Sequence, residues 1–518
     1  MALLISRGER PKFKFRPTQF EQGDSQTLPA PYGGINLRSD ITALQPNEAR
    51  ALDNWMPGSG QCELRAGFGD HGTGVGSAEV PTLAPFVGFT ASRLIAAGGG
   101  KIFNATAAGA ATELATGFTS DRWQTALYSD RLFFVNGTDN PQVYNGSTVS
   151  GIVWAGAGLT DNNLINIALV RNRLWFCEVN SADVWYAAIG QITAASNLTK
   201  FSLSQIASGG VCMAIGSWSR DAGDGADDMT VFVMSTGEII IYQGDPASTF
   251  ALIGKYQTGA PPIGRRCLFN IGGELMVITR LGLLPVSAAV GGVALDLARI
   301  DPWGKIAAGI AADAALDGDN AGWHGCLHEG LVYVNVPQTV GSLSKQWVIN
   351  TRNGACNTIS AYNASSFASF SNTLYFGAMA GGLVRDVGGL DDDGTTITAS
   401  SNGAFIFPGG NVKRNNVFTA IRPIMDAEGT VSGLVGVDTN FIVRTLSGAS
   451  VNLIDDPSTT PWGSEWGSPW GSSGGAVPKW FSIYGEGRAV SVRMRAVASA
   501  LNCRWYGTDL LWKPGGIR

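Results

Sequence analysis

The chain has 518 residues, length for about two to four domains, with 69 glycines, sparse charge and a formal net charge of −5. No apolar run reaches the ~18 residues of a membrane-spanning helix, and no basic stripe able to grip nucleic acid occurs after residue 16. The seven cysteines stand without any C-x-x-C pair, which predicts reduced and mostly buried thiols, and the stub MALLIS is too short for a secretory core, so the chain is expected to stay where it is made.

Residues 1–32 read as an extended arm. It carries Arg7, Arg10, Lys12, Lys14 and Arg16, the last three interleaved with Phe13 and Phe15 between Pro11 and Pro17. In an extended conformation the lysines face one way and the phenylalanines the other. Such an arm docks on a neighbouring subunit or on its own body, the alternative being a disordered basic tail.

Residues 33–84 form a motif segment that leads into or closes the body that follows. It opens GGINLRSDITALQPNEARALDNWMPGSGQCELRAGF from Gly33 to Phe68. Pro46 suits a first helical turn, Glu48 suits the positive end of a helix dipole, and Pro57-Gly58 stops a helix, so a short helix of about two turns is predicted. Gln61 to Ala66 alternates as a strand. The pattern GG-x-N, then P-x-E-A with L-x-N-W, then a glycine turn and L-R-x-G-F, resembles the start of the tail nozzle proteins of short-tailed bacteriophages, also called packaged-DNA stabilisation or tail hub proteins.

From residue 85 to 390 one pattern recurs. In YSDRLFFVNGTDNPQVYNG, Arg131 to Val135 is a short apolar run, Asn136 to Pro141 is turn chemistry, and Gln142 to Tyr144 begins a second strand, together a β-hairpin. Copies start at Arg93, Arg173, Thr230, Glu274, Leu331 and Thr373, in steps of 38 to 57 residues. A lone hairpin cannot bury its face, and radial stacking of four-stranded units of about this size supplies the cover. The predicted fold is all-β, a β-propeller of six or seven blades, in preference to a plain sandwich, whose turns recur every ~8 to 12 residues without a longer period. Gly98 to Phe103, and Ala214 to Trp218 followed by Met229 to Tyr242, also resemble blades of the nozzle family, which implies packing roles for Trp218 and Tyr242. The longer steps carry extra residues within Ile192 to Ser204 and Ala288 to Asn320, expected as surface loops on blade edges.

Residues 391–416 read as a linker, and 417–518 as a separate, sandwich-like C-terminal β-domain. Its strands are expected over Val417 to Met425, Val431 to Asp438, Phe441 to Leu446, Trp480 to Tyr484, Ala489 to Ala496 and Cys503 to Trp512. The closing block from Gly485 resembles the carboxyl end of the nozzle family, where an R-x-R strand precedes the last strand. Arg493 and Arg495 share a face there and are expected in solvent.

Candidate chemistry is thin. His324, Cys326 and His328 alternate on a strand, but an i to i+4 span of about 13 Å is too long for one tetrahedral metal, so these residues are read as structural. Asp221, Asp224, Asp227 and Asp228, and likewise Asp391 to Asp393, lack the D-x-D-x-D-G spacing of a calcium loop and are read as solvated turns. There is no H-E-x-x-H, no glycine run followed by Lys-Ser/Thr, no Asp-box repeat and no Trp-Asp dipeptide. Paired carboxylates meeting in a propeller channel, as in a glycosidase, stay open as an alternative. Trp462, Trp466 and Trp470 repeat as Trp-Gly-Ser, either a tip loop that touches a partner or a loop folded back on its own domain.

No catalytic, cofactor-binding or metal-binding residue is therefore assigned, and the protein is expected not to be an enzyme. The resemblance implies a structural virion component, assembled in the host cytoplasm as a homohexameric ring in the tail. It implies neighbours in the portal and head-to-tail adaptor proteins and in tail fibres or spikes, with double-stranded DNA retained and then passing through the lumen without sequence-specific binding. The alternatives are a propeller lectin or glycan-active protein, or another phage tail structural protein.

Overall fold

The computed structural model describes residues 23–192, 196–219, 228–291, 302–338, 344–410, 412, 414–454 and 479–515. The protein is nearly all-β and built from many small sheets. Two α-helices lie among the described residues, α1 (Val286–Val290) and α2 (Ala307–Asp317), and no helix there is long and apolar enough to cross a membrane.

Each expected hairpin supplies the second and third strands of one sheet. Sheet I holds Thr82–Val87, Ser92–Gly98, Lys101–Asn104 and Thr112–Thr116, and sheet II holds Gln124–Tyr128, Arg131–Val135, Gln142–Tyr144 and Val149–Gly151. Sheet III holds Leu164–Val170, Arg173–Glu178, Asp183–Tyr186 and Thr199–Ser202, and sheet IV holds Cys212–Trp218, Met229–Met234, Glu238–Asp245 and Thr249–Gln257. Sheet V has three strands, Leu268–Ile271, Glu274–Thr279 and Gly282–Pro285. Sheet VI begins with His324–His328, Leu331–Val336, Lys345–Asn350 and Cys356–Ser360. Sheet VII holds Ala364–Phe370, Thr373–Ala378 and Val384–Val387, completed by Phe68–Thr73 from far earlier in the chain, antiparallel to Val384–Val387, and edged by Gly109–Ala110.

The first strands of these seven sheets neighbour one another in a closed cycle, from sheet I through II, III, IV, V and VI to VII and back to I. Burial follows from this ring. Met229–Met234 is buried along its whole length and reads as a continuous apolar run, whereas the outermost strand of the same sheet, Thr249–Gln257, is mostly exposed. Sheets III and IV meet through Trp175, Phe201, Phe232, Tyr242 and Phe250, whose ring centroids lie 4.5 to 6.5 Å apart. Pairs of this kind contribute about 0.5–1.5 kcal/mol each beyond their buried area. Trp218 and Tyr242 are buried packing residues, as expected.

Apart from Trp154–Ala155 and Ser196–Asn197, which pair with each other, the remaining strands form two further layers. In one, Trp55–Pro57, Cys62–Leu64, Cys503–Pro514, Asn416–Ala427 and Phe481–Gly487 pair in that order, and Asp24–Pro29 pairs with Cys503–Pro514. In the other, sheet VI is extended by Glu48–Asp53, Ile397–Gly403, Val490–Ala498, Val431–Thr439 and Val451–Ile454, with Gly34–Ile35 beside Glu48–Asp53. Phe418, Leu510 and Trp512 of the first layer pack on Val437 and Val490 of the second.

Several expectations are corrected. Glu48–Asp53 is a strand and not a helix, because it lies between Gly34–Ile35 and Ile397–Gly403 and buries Ala49 and Leu52, so pairing overrides the local capping signals. Residues 391–416 are not a mere linker, since Ile397–Gly403 is an inner strand of the extended sheet. The last 102 residues are not separate either: residues 24–64 supply strands to both layers, and part of the expected arm, Asp24–Pro29, is one of them. Residues 1–22 lie outside the described residues. No strand covers Phe441 to Leu446, because Asn440 and Phe441 adopt φ of 54° and 62° and turn the chain. The two long steps hold ordered structure: Thr199–Ser202 is the outer strand of sheet III, and α1 and α2 follow the third strand of sheet V.

Candidate functional site: a buried junction and an axial arginine cavity

The motif segment converges where the chain leaves the two layers for the ring and returns from it. Asn36 donates to Glu48 Oε2 at 2.9 Å, and Lys305 approaches Glu48 at 3.3 Å. Asn54 donates to Thr398 O at 2.7 Å and accepts from Arg65 Nε at 2.8 Å, so a single side chain ties the Ile397–Gly403 strand to the outgoing chain. The Arg65 guanidinium then grips Asp392 with two bonds, at 2.8 and 2.5 Å, under the Tyr362 ring. Both partners are buried, 1% and 8% exposed, which makes this a desolvated ion pair and not a surface one. Outgoing and returning chains pass so closely that a Cβ on Gly67 would lie 1.7 Å from Asp391 O, and only glycine fits there. Asp392 is thus a buried partner and not part of a solvated turn.

A second correction of the same kind concerns the R-x-R strand. Arg495 is exposed, but Arg493 is buried and approaches Asp438 at 2.9 Å. Burial pulls Arg493 below its ordinary value and pushes Asp438 above its own.

In the middle of the ring lies a cavity of about 680 Å³. Arg122 enters it from the start of sheet II, Arg265 and Arg266 from the segment before sheet V, and Arg280 from the turn between the last two strands of sheet V. Arg266 crosses from sheet V to the far side of the ring. It donates to Pro81 O at 2.9 Å, Thr82 Oγ1 at 2.9 Å and Trp123 O at 2.6 Å, which ties sheet V to sheets I and II. Arg265 donates to Asn136 O at 2.9 Å. Arg122 pairs with Glu79 at 2.8 Å, and Arg280 pairs with Asp319 at the rim. Burial, with the Arg122 charge added, brings Arg266 down to about 10, and burial also lowers Arg265. The sequence reading missed this cluster. Its one local signal is the Arg265-Arg266 doublet in a chain otherwise poor in adjacent cations.

The sequence candidates fall elsewhere. His324 places Nδ1 2.8 Å from Gly322 O and accepts the Phe367 N–H on Nε2 at 2.9 Å, so backbone engages both ring nitrogens. His328 Nδ1 lies 2.9 Å from Ser369 Oγ. Both histidines therefore stitch sheet VI to sheet VII, in keeping with the structural reading. Among the described residues no group of three or more His, Cys, Asp or Glu side chains is arranged to hold a metal ion. Asp221, Asp224 and Asp227, and the Trp462, Trp466, Trp470 loop, lie outside the described residues.

No family model matches the chain, and no curated protein matches it. Among solved structures it is similar to Raptor from Chaetomium thermophilum, at 10% identity and a TM-score of 0.38, with 62% of this chain and 29% of that one covered. It thus spans under a third of the Raptor chain's length. It is also similar to BBS1N, solved in complex with ARL6DN, at 11% identity and a TM-score of 0.40, with 62% of this chain and 98% of that one covered. Neither likeness supplies a function for this chain.

Proposed function

We propose that this chain is a structural virion protein, a subunit of the ring-shaped tail nozzle of a short-tailed bacteriophage, and that it performs no catalysis. On this reading the seven cyclic sheets are a seven-bladed β-propeller closed by Phe68–Thr73, and the two further layers are a β-sandwich built from both ends of the chain. The observation that carries the reading is the fate of the motif through which the resemblance runs. Asn36, Glu48, Asn54, Trp55, Arg65 and Phe68 are all buried at the junction of the two bodies. A motif buried in a joint marks an architecture, whereas a motif that reacts or binds must reach solvent. The resemblance is thus to a way of coupling propeller and sandwich rigidly, which suits a part that must hold against the pressure of packaged DNA.

In the assembled tail the copies form a hexameric ring that contacts the portal and adaptor proteins on one side and carries fibres or spikes around its rim. Duplex DNA passes between subunits and not along the axis of any one propeller, because Arg266 bridges that axis. A weak acidic bias lets a polyanion slide, since phosphate pairing with many cations would brake it. Light scattering on the purified chain, with negative-stain images, tests this. A ring of roughly six times the 54.3 kDa chain is expected. A stable monomer at high concentration, with or without adaptor protein, would refute it.

A further inference from the structure

The axial cavity holds more positive charge than architecture requires. Of its four guanidinium groups, Arg122 is matched by Glu79 and Arg280 by Asp319. Among the described residues Arg265 and Arg266 meet only neutral acceptors, three backbone carbonyls and one threonine hydroxyl. Arg266 is enclosed by protein yet keeps accessible surface toward the cavity. His324, close to Arg266 and Arg122, offers no negative charge. It is itself held neutral, down to about 4, by burial and by the charges of Arg266 and Arg122.

A role as a strut accounts for Arg266, whose three bonds span the ring. It leaves Arg265 unexplained, since one bond to Asn136 O uses a single N–H of the five that a guanidinium offers. The space beside both groups is moreover open at its rim, so a small molecule can reach them. Two cations without carboxylates, beside an accessible space, form a site where an anion would remove an electrostatic penalty already present. Guanidinium forks match the paired oxygens of phosphate in geometry as well as charge.

We propose that the axial cavity binds a small phosphate-type anion, one molecule per chain, on Arg265 and Arg266, with Asn136 and Asn320 at its edge. About 680 Å³ lies within the ~300–1,000 Å³ of ordinary small-molecule pockets, so pyrophosphate or the diphosphate of a nucleotide fits, whereas a duplex does not enter. The bound anion ties sheets II and V together across the axis. This proposal is independent of the assembly reading, because it concerns the interior of one chain.

The test is calorimetric titration and thermal melting of the full chain with inorganic phosphate, pyrophosphate and ADP, at constant ionic strength set with chloride. Pyrophosphate is expected to bind saturably at one site per chain and to raise the melting temperature by several degrees, with Arg265→Gln lowering its affinity at least tenfold. ADP binding more tightly than pyrophosphate would identify a nucleotide as the natural source of the phosphate, and equal binding would identify the inorganic anion. Should Arg265→Gln fail to fold, Arg280→Gln at the rim serves in its place and is expected to weaken binding severalfold. Absence of a saturable response in the native chain overturns the proposal, as does unchanged affinity in the folded variant.

Discussion

His324 gives the sharpest handle on how the ring is held. The imidazole joins sheets VI and VII only while neutral, since Nε2 must accept the Phe367 N–H. Burial is the main cause that lowers its pKa to about 4, with the charges of Arg266 and Arg122 adding to it. The folded value lies below the unfolded value of about 6.5, so the unfolded chain takes up the proton first as pH falls. The stability this group contributes is therefore complete above about pH 6.5 and is lost progressively toward pH 4. At about 1.4 kcal/mol per unit, the loss between pH 7 and pH 5 is about 2 kcal/mol. In urea denaturation at both pH values, the advantage of the native chain over His324→Gln should shrink by that amount on acidification. Carboxylates, and His328, which burial also lowers, titrate in both proteins and cancel. An advantage that stays constant from pH 7 to pH 5 would refute the assignment of a neutral, backbone-clamped imidazole.

Two further outcomes follow from the junction and the termini. Arg65→Met leaves Asp392 buried without its partner and should cost about 3–5 kcal/mol, while the Arg65→Met, Asp392→Leu double variant recovers much of the loss; denaturant unfolding of the three chains checks this. Deleting the chain through Pro29 strips a six-residue strand from Cys503–Pro514 and exposes the site of Leu28, a loss of about 2 kcal/mol from that side chain alone, and amide exchange over residues 507–512 should accelerate.

The seven hairpins are legible in the chain because their signals are local. An apolar run such as Leu132 to Val135, a turn made of Asn, Gly and Asp, and a return strand lie within about fifteen residues of one another, and each expected start falls in or at the edge of a second strand of a sheet. The junction is different in kind. Pro46 and Glu48 carry helix-start signals, yet the segment is a strand because Ile397–Gly403, some 350 residues later, offers it backbone partners. Arg493 looks like Arg495 in sequence, and only the approach of Asp438 separates the buried residue from the exposed one. Asp392 looks like its neighbours Asp391 and Asp393 until Arg65 is seen to face it.

The amino-acid sequence by itself determined the strand-and-turn units and their repetition, since alternation and turn chemistry act between near neighbours. Tertiary structure alone decided which strand closes the ring, which ends of the chain share a layer, and which arginines meet at the axis. Those outcomes depend on burial and pairing between residues far apart in the chain, and such contacts leave little mark on either residue's local pattern.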